Sequence, residues 1–298
     1  MSLISVKEYA NEHGLSERTV RNYCTQGKIA GAQIIGNAWA VPAEAPLPSR
    51  KNARLKISPL LKALTEQKEN KMKGGIYHRT QIELTYNSNH IEGSKLTKDQ
   101  TRYIYETNTI GIAEGEAIKV DDIIETTNHF RCIDFIIEHA GELLSESLIK
   151  KIHKLLKAGT SDASKEWFAV GEYKRLPNEV GGLETTLPED VSREIKVLLE
   201  KYKSKKSVGF EDILDFHQRF EAIHPFQDGN GRVGRLIMFK ECLHHSIVPF
   251  IITDDLKMFY YRGLHEWRHT PGYLTDTCLT AQDRYKAVLD YFKIKYRP

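Results

Sequence analysis

The spacing of apolar residues divides the chain into two unequal parts. In "ISVKEYANEHGLSERTVRNYCTQGKI", Val6, Tyr9 and Ala10, then Val20 and Tyr23, recur at three to four residues. That period predicts two short helices sharing an apolar seam, broken at Gly14, the second capped by Ser16. "GAQIIGNAWAVPAE" follows as two brief β-favouring runs that turn at Gly36-Asn37, which predicts a hairpin. After "PAEAPLPSRKNARLK", with Pro42, Pro46 and Pro48 ahead of a basic run, the pattern is helical almost throughout. Ile123, Phe130, Ile133 and Ile137 mark one amphipathic helix, and Phe210, Ile213, Phe220 and Ile223 mark another. One segment departs from this period. "EYKRLPNEVGGLETTLPED" has turn residues at Pro177-Asn178 and Gly181-Gly182 with β-favouring residues between, so a hairpin is expected inside the helical part. The fold class expected is mainly α: a helical domain with a short β-hairpin, plus a small N-terminal winged helix-turn-helix. The expected boundaries are residues 1–41, a linker at 42–54, and a helical domain at 55–298.

Composition adds little to this picture. The 298 residues are 40% hydrophobic and 28% charged, ordinary for a globular protein with a real core. No apolar run reaches bilayer length and no secretory signal opens the chain, so a cytoplasmic protein with no membrane partner is expected. A formal charge of +3 does not argue for nucleic acid by itself. Cys24, Cys132, Cys242 and Cys278 lie far apart with no CxxC, which predicts free buried thiols.

The chemistry is concentrated in "IHPFQDGNGRVGR", residues 223–235. Gly229, Gly231 and Gly234 form G-x-G-x-x-G, yet an amphipathic helix precedes them where a dinucleotide-binding unit needs a strand. The alternative is a helix starting after Asp228 whose free N–H groups and dipole receive an anion. Its apolar positions would be Val233, Leu236, Ile237, Phe239 and Leu243. Arg232 and Arg235 can fork onto phosphate oxygens, Asp228 can give Mg²⁺ an oxygen ligand, and His224, with an imidazole pKa of about 6.5, suits proton removal from a hydroxyl at neutral pH. Nearby residues are given blander roles. His217 is expected as a hydrogen-bonded core histidine, His244-His245 as dipole partners at a helix C-terminus, and Asp254-Asp255 as a cap for the next helix. Tyr260, Tyr261 and Trp267 fit a core or an adenine wall equally.

Residues 224–235 meet every position of H-P-F-x-[DE]-G-N-G-R-x-x-R, with Gln227 at the free one, and the chain from about residue 55 onward resembles the Fic family. The resemblance implies transfer of AMP from Mg·ATP to a Tyr, Thr or Ser hydroxyl of a target protein. It implies His224 as the base and Asp228 as the Mg²⁺ ligand. It implies Gly229, Asn230, Gly231 and Arg232 as the phosphate cradle, extended through Val233 and Gly234, with Phe226 locking the loop. Arg235 would meet the γ-phosphate, and Tyr261 would lie at the nucleotide. The hairpin resembles the family's flap, so Leu183, Glu184 and Thr185 would dock the target segment. "NSNHIEGSKLT" matches the [ST]-x-x-x-E-[GN] inhibitory motif through Ser88, Glu92 and Gly93, which implies that Glu92 denies Arg235 to ATP. Some Fic relatives transfer UMP or phosphocholine instead. The first 41 residues resemble excisionase and MerR-like winged helix-turn-helix modules through Gly27, Lys28, Ile29, Trp39, Val41 and Pro42. Arg18, Arg21 and Lys28 would then contact DNA. The rival expectation is a DNA-binding regulator whose Fic domain senses nucleotide or modifies only itself. A homo-oligomer is compatible with either.

Overall fold

The computed structural model describes residues 2–36, 38–47, 58–115 and 117–296. Asn37 of the expected turn and residues 48–54 of the expected linker lie outside them. The chain divides into two compact units, Met1–Leu55 and Lys56–Pro298.

In the first unit α1 (Val6–Glu12) and α2 (Glu17–Thr25) are followed by a hairpin of β2 (Gln33–Ile35) and β3 (Ala38–Pro42). Gly14 breaks the helices with a φ of 62°, and the Ser16 side chain accepts from the Thr19 N–H to cap α2. The sequence pattern did not reveal β1 (Leu3–Ser5), which pairs antiparallel with β3 and makes the sheet order β1-β3-β2. Ser5 ends that strand and begins α1 through a capping box with Glu8, so the two elements leave no loop between them. Val6, Tyr9, Ala10, Val20, Cys24, Ile29 and Val41 form its core.

The second unit is helical: α3 (Pro59–Glu69), α4 (Ile76–Ile91), α5 (Lys98–Thr107), α6 (Val120–Glu138) and α7 (Glu146–Lys157), then α8 (Pro188–Lys203), α9 (Phe210–Ile223), α10 (Asn230–His244), α11 (Lys257–Glu266) and α12 (Gly272–Tyr291). A two-stranded hairpin, β4 (Glu179–Val180) with β5 (Leu183–Glu184), stands between α7 and α8. Gly181 and Gly182 turn it with φ of 58° and 78°, both in the left-handed region that a tight hairpin needs. The fold is therefore mainly helical with small sheets.

Helix α10 runs through the middle and is buried on all sides, packed by α9, α6, α7 and α4. Val233, Leu236, Ile237, Phe239 and Leu243 join the main core, while Met238 and Cys242 join a second cluster with Trp267 and Leu274. Burying α10 on every side fixes the orientation of its N-terminus. All four cysteines are free and buried. Among the described residues no helix is long and apolar enough to cross a membrane. Asp254 and Asp255 do not cap α11: they lie in a 3₁₀ turn (Asp254–Leu256), and Asp255 accepts from Thr253 and Arg284 at 2.6 and 3.0 Å instead.

Candidate nucleotide and phosphoryl-transfer site

The site is built on the turn between α9 and α10. His224 ends α9 with a φ of 52°, a left-handed conformation that turns the chain abruptly outward. Phe226 then plugs the loop into the core, fully buried and stacked on His153 at 3.9 Å. Asn230 closes the turn on itself. Its Oδ1 accepts from the Phe226 N–H and its Nδ2 donates to the Phe226 carbonyl, both at 2.8 Å. The Asn230 side chain thus shapes the loop, spending one of its two amide N–H groups on the Phe226 carbonyl. Gly229, with a φ of 81°, is the N-cap of α10 and offers no side-chain cap. The first N–H groups of α10 thus receive no bond from a capping side chain, as at helix starts that bind anions.

Val233 and Gly234, also expected in the cradle, direct their side-chain positions into the helix packing. Val233 is fully buried in the core, and its N–H is already bonded to the Gly229 carbonyl at 3.0 Å. Gly234 faces α9, where a Cβ would collide with Glu221 and His217. Its missing side chain lets α9 and α10 pack closely. Gly231 is different: a Cβ there would collide with Oε1 of Glu92.

Glu92 therefore fills the space over Gly231. Glu92 follows the last turn of α4, and Gly93 continues with a φ of 95°. Arg235 is only 4% exposed; its Nη2 donates to Glu92 Oε1 at 2.7 Å and to the Ser88 carbonyl at 2.9 Å, and its Nε donates to Ser88 Oγ at 3.0 Å. Ser88, Glu92 and Arg235 come together as the sequence motif implied. The nearby carboxylates, Glu92 first, hold the Arg235 guanidinium firmly protonated despite its burial. Tyr261 donates its hydroxyl to the Ile91 carbonyl at 3.2 Å, and burial with the Glu92 charge pushes its pKa up to about 12. Tyr260 is buried and meets His217 Nε2 at 2.6 Å, so both are core groups.

Arg232 goes another way. It donates to Glu125 and, at 3.2 Å, to Asp228 Oδ2. Lys157 Nζ donates to the same Asp228 oxygen at 2.7 Å and to Glu125 and Asp162. The neighbouring Arg232 and Lys157 charges hold the Asp228 carboxyl far below the usual carboxylate range even though burial opposes them. Asp228 is thus ionised with Oδ1 outside that pairing. An Mg²⁺ ion that draws its remaining ligands from phosphates and water fits one such carboxylate. Among the described residues no group of three or more His, Cys, Asp and Glu side chains is arranged as a metal cage.

His224 departs from its expected acidity. Burial, with help from the Lys174 charge, pushes its pKa down to about 4, so the imidazole is neutral across the whole physiological range. Its Nδ1 is buried, which leaves Nε2 as the nitrogen able to face a hydroxyl.

The hairpin is stapled to this loop by contacts that the sequence did not reveal. The Lys174 N–H donates to the Pro225 carbonyl at 2.8 Å, Asn178 Nδ2 to the Phe226 carbonyl at 3.1 Å, and the Leu176 N–H to Gln227 Oε1 at 3.3 Å. Lys174 Nζ is buried and donates to Asn178 Oδ1 at 2.6 Å and Thr185 Oγ1 at 2.5 Å. Thr185, expected as a target-docking residue, is committed to this staple, whereas Leu183 and Glu184 are exposed. In the first unit Arg18, Arg21 and Lys28 are all exposed, with Arg21 paired to Glu17 at 2.8 Å.

Comparison with known proteins places this geometry. Residues 143–242 match the Fic/DOC family, a narrower span than the resemblance read from residue 55 onward. A protein adenylyltransferase Fic of Nematostella vectensis is 24% identical over 188 residues, covering 62% of this chain and 42% of that protein. One of Aedes aegypti is 28% identical over 184 residues, covering 60% of this chain and 36% of its own length. A probable protein adenylyltransferase of Aquifex aeolicus is 28% identical over 157 residues, covering 48% of this chain and 47% of its own. The chain thus spans less than half the length of these curated relatives. Among solved structures, a Fic domain containing signaling protein from Bacteroides thetaiotaomicron superposes with a TM-score of 0.63 at 22% identity, over 80% of this chain and 98% of that one. Fic-1 from C. elegans superposes with a TM-score of 0.58 at 17% identity, over 78% and 72%. The Fic/DOC match falls within the helical unit, whose fold is that of the Fic-domain structures.

Proposed function

We propose that the chain is a protein adenylyltransferase, moving AMP from Mg·ATP to a Tyr, Thr or Ser hydroxyl of a target protein or of itself, and that Glu92 restrains it. The observation that carries this reading is the occupied cradle: the Glu92 carboxylate lies over Gly231 and on Arg235, where an anionic phosphate has its best partners. A side chain that imitates a bound phosphate marks what the site is shaped to receive. The names of the relatives support the same reaction.

In this reading the N–H groups at the start of α10 and the two arginines hold the phosphate chain. His224, neutral at pH 7, takes the proton from the acceptor hydroxyl. The hydroxyl oxygen forms a bond to the α-phosphorus, the bond to the bridging oxygen breaks, and diphosphate leaves. Mg²⁺ at Asp228 would neutralise phosphate charge. The exposed hairpin residues Leu183 and Glu184 would lie beside an extended target segment and hold its hydroxyl in reach.

The test is mass spectrometry of protein incubated with isotopically labelled ATP. A 5′-AMP adduct is expected, and His224→Ala should lower its formation by about 10²–10⁴-fold while leaving nucleotide binding nearly intact. Equal loss of binding and transfer would reduce His224 to a structural role. A second reading, DNA contact by the first unit, draws on the exposed Arg18 and Arg21 of α2.

A further inference from the structure

Lys157 is the last residue of α7 and only 2% exposed, an unusual place for an ammonium group. Its Nζ lies among three carboxylate oxygens: Glu125 Oε1 at 2.5 Å, Asp228 Oδ2 at 2.7 Å and Asp162 Oδ2 at 2.9 Å. Those bonds use all three of its donors, so it has none left for a phosphate. Its helix also holds the backbone of the same loop residue. His153, one turn earlier, accepts from the Gly171 N–H at Nδ1 and is thereby set to donate from Nε2 to the Asp228 carbonyl at 3.1 Å. The further cations facing the cluster are Arg232, on Glu125 and Asp228, and Lys165, on the outer oxygen of Asp162.

We propose that Lys157 is the standing cation of this site, a positioning residue that occupies the space among Glu125, Asp162 and Asp228 which a divalent ion would otherwise take, so that metal binds at Asp228 only together with nucleotide. The inference rests on the reading of Asp228 as the metal's carboxylate. The arrangement explains why three acidic side chains converge without forming a metal cage: their common centre is already filled by charge. It also fixes Glu125 under Arg232, holding that guanidinium in place beneath the start of α10. Nothing in a purely packing role for the side chain requires three carboxylates around its tip, since desolvating the ammonium with the more buried Glu125 and Asp162 is costly.

The experiment titrates the full-length protein with Mn²⁺ alone, free ion being followed by electron paramagnetic resonance. Wild type should bind Mn²⁺ weakly without nucleotide. Lys157→Met removes the ammonium from the centre and leaves its carboxylates short of one positive charge, and should bind Mn²⁺ at least about tenfold tighter. Its melting temperature should rise with Mn²⁺ while that of wild type stays still. If the variant does not fold without metal, Mn²⁺ should restore it. A folded variant with wild-type Mn²⁺ affinity, or a variant that stays unfolded with Mn²⁺, overturns the proposal. Neither measurement uses nucleotide or transfer, so a protein that transfers nothing to any target would still answer the question.

Discussion

Replacing Glu92 by glutamine keeps its size and removes its charge, which isolates the electrostatic part of the restraint. In the structure Arg235 meets Glu92 at 2.7 Å and is itself 4% exposed, while the glutamate side chain is 30% exposed. A buried charge-assisted hydrogen bond contributes about 1.5–3 kcal/mol, and the partial exposure of Glu92 argues for the lower end of that range. The same substitution removes repulsion between the carboxylate and an arriving γ-phosphate. Ser88 is untouched, and its two contacts keep Arg235 in place at 2.9 and 3.0 Å. Glu92→Gln should therefore strengthen binding of a non-hydrolysable ATP analogue by about tenfold, or roughly 1.4 kcal/mol. The assay is isothermal titration calorimetry in Mg²⁺ at two salt concentrations. The gain should shrink at high salt, because a partly exposed charge is screened. A folded variant with wild-type affinity at both salts would refute the reasoning: the ion pair would then be a helix contact with no hold on the nucleotide site.

Acid should destabilise the protein early. Burial lowers the pKa of His129, His153 and His217 to about 3 and of His224 to about 4, whereas the unfolded chain takes up those protons near pH 6.5. Their stabilisation is present above pH 6.5 and is lost as pH falls toward 4, by up to about 1.4 kcal/mol per pH unit for each. Glu221, raised to about 8 by burial, works the other way between its unfolded value and 8, but it is one group against four. Urea midpoints should fall between pH 7 and 5, and a flat profile would contradict the burial argument. If the first unit binds DNA, Arg18→Ala or Arg21→Ala should weaken a gel shift that itself collapses steeply with salt. Binding that ignores salt would favour protein docking by that unit.

Local rules carried much of this fold in the sequence. Ser16 capping, the Gly181-Gly182 turn and the apolar faces of α6 and α9 each depend on neighbours within a few residues. The twelve-residue loop pattern was legible for the same reason, since His224, Phe226, Gly229 and Asn230 act within one turn of chain. What stayed hidden is tertiary. Nothing near Asp228 in sequence announces Lys157, Glu125 or Asp162, which arrive from α7, α6 and a 3₁₀ turn. One signal was available: Lys157 falls four residues after His153, on the same helical face, and directly after the buried Leu156. A lysine in that setting needs a buried anion. The acidity of His224 was misjudged because a pKa near 6.5 assumes water around the ring, and the loop withholds it. Strand β1 was missed because three residues give no period to read.

The proposed restraint is Glu92 in the phosphate site of an adenylyltransferase. Its most direct test measures AMP incorporation from labelled ATP, including automodification, in wild type, Glu92→Gly and Glu92→Gly/His224→Ala. Glu92→Gly should raise incorporation at least about tenfold, and adding His224→Ala should erase the gain, since a freed phosphate site cannot replace the base. A folded Glu92→Gly protein that transfers no more AMP than wild type would contradict the account.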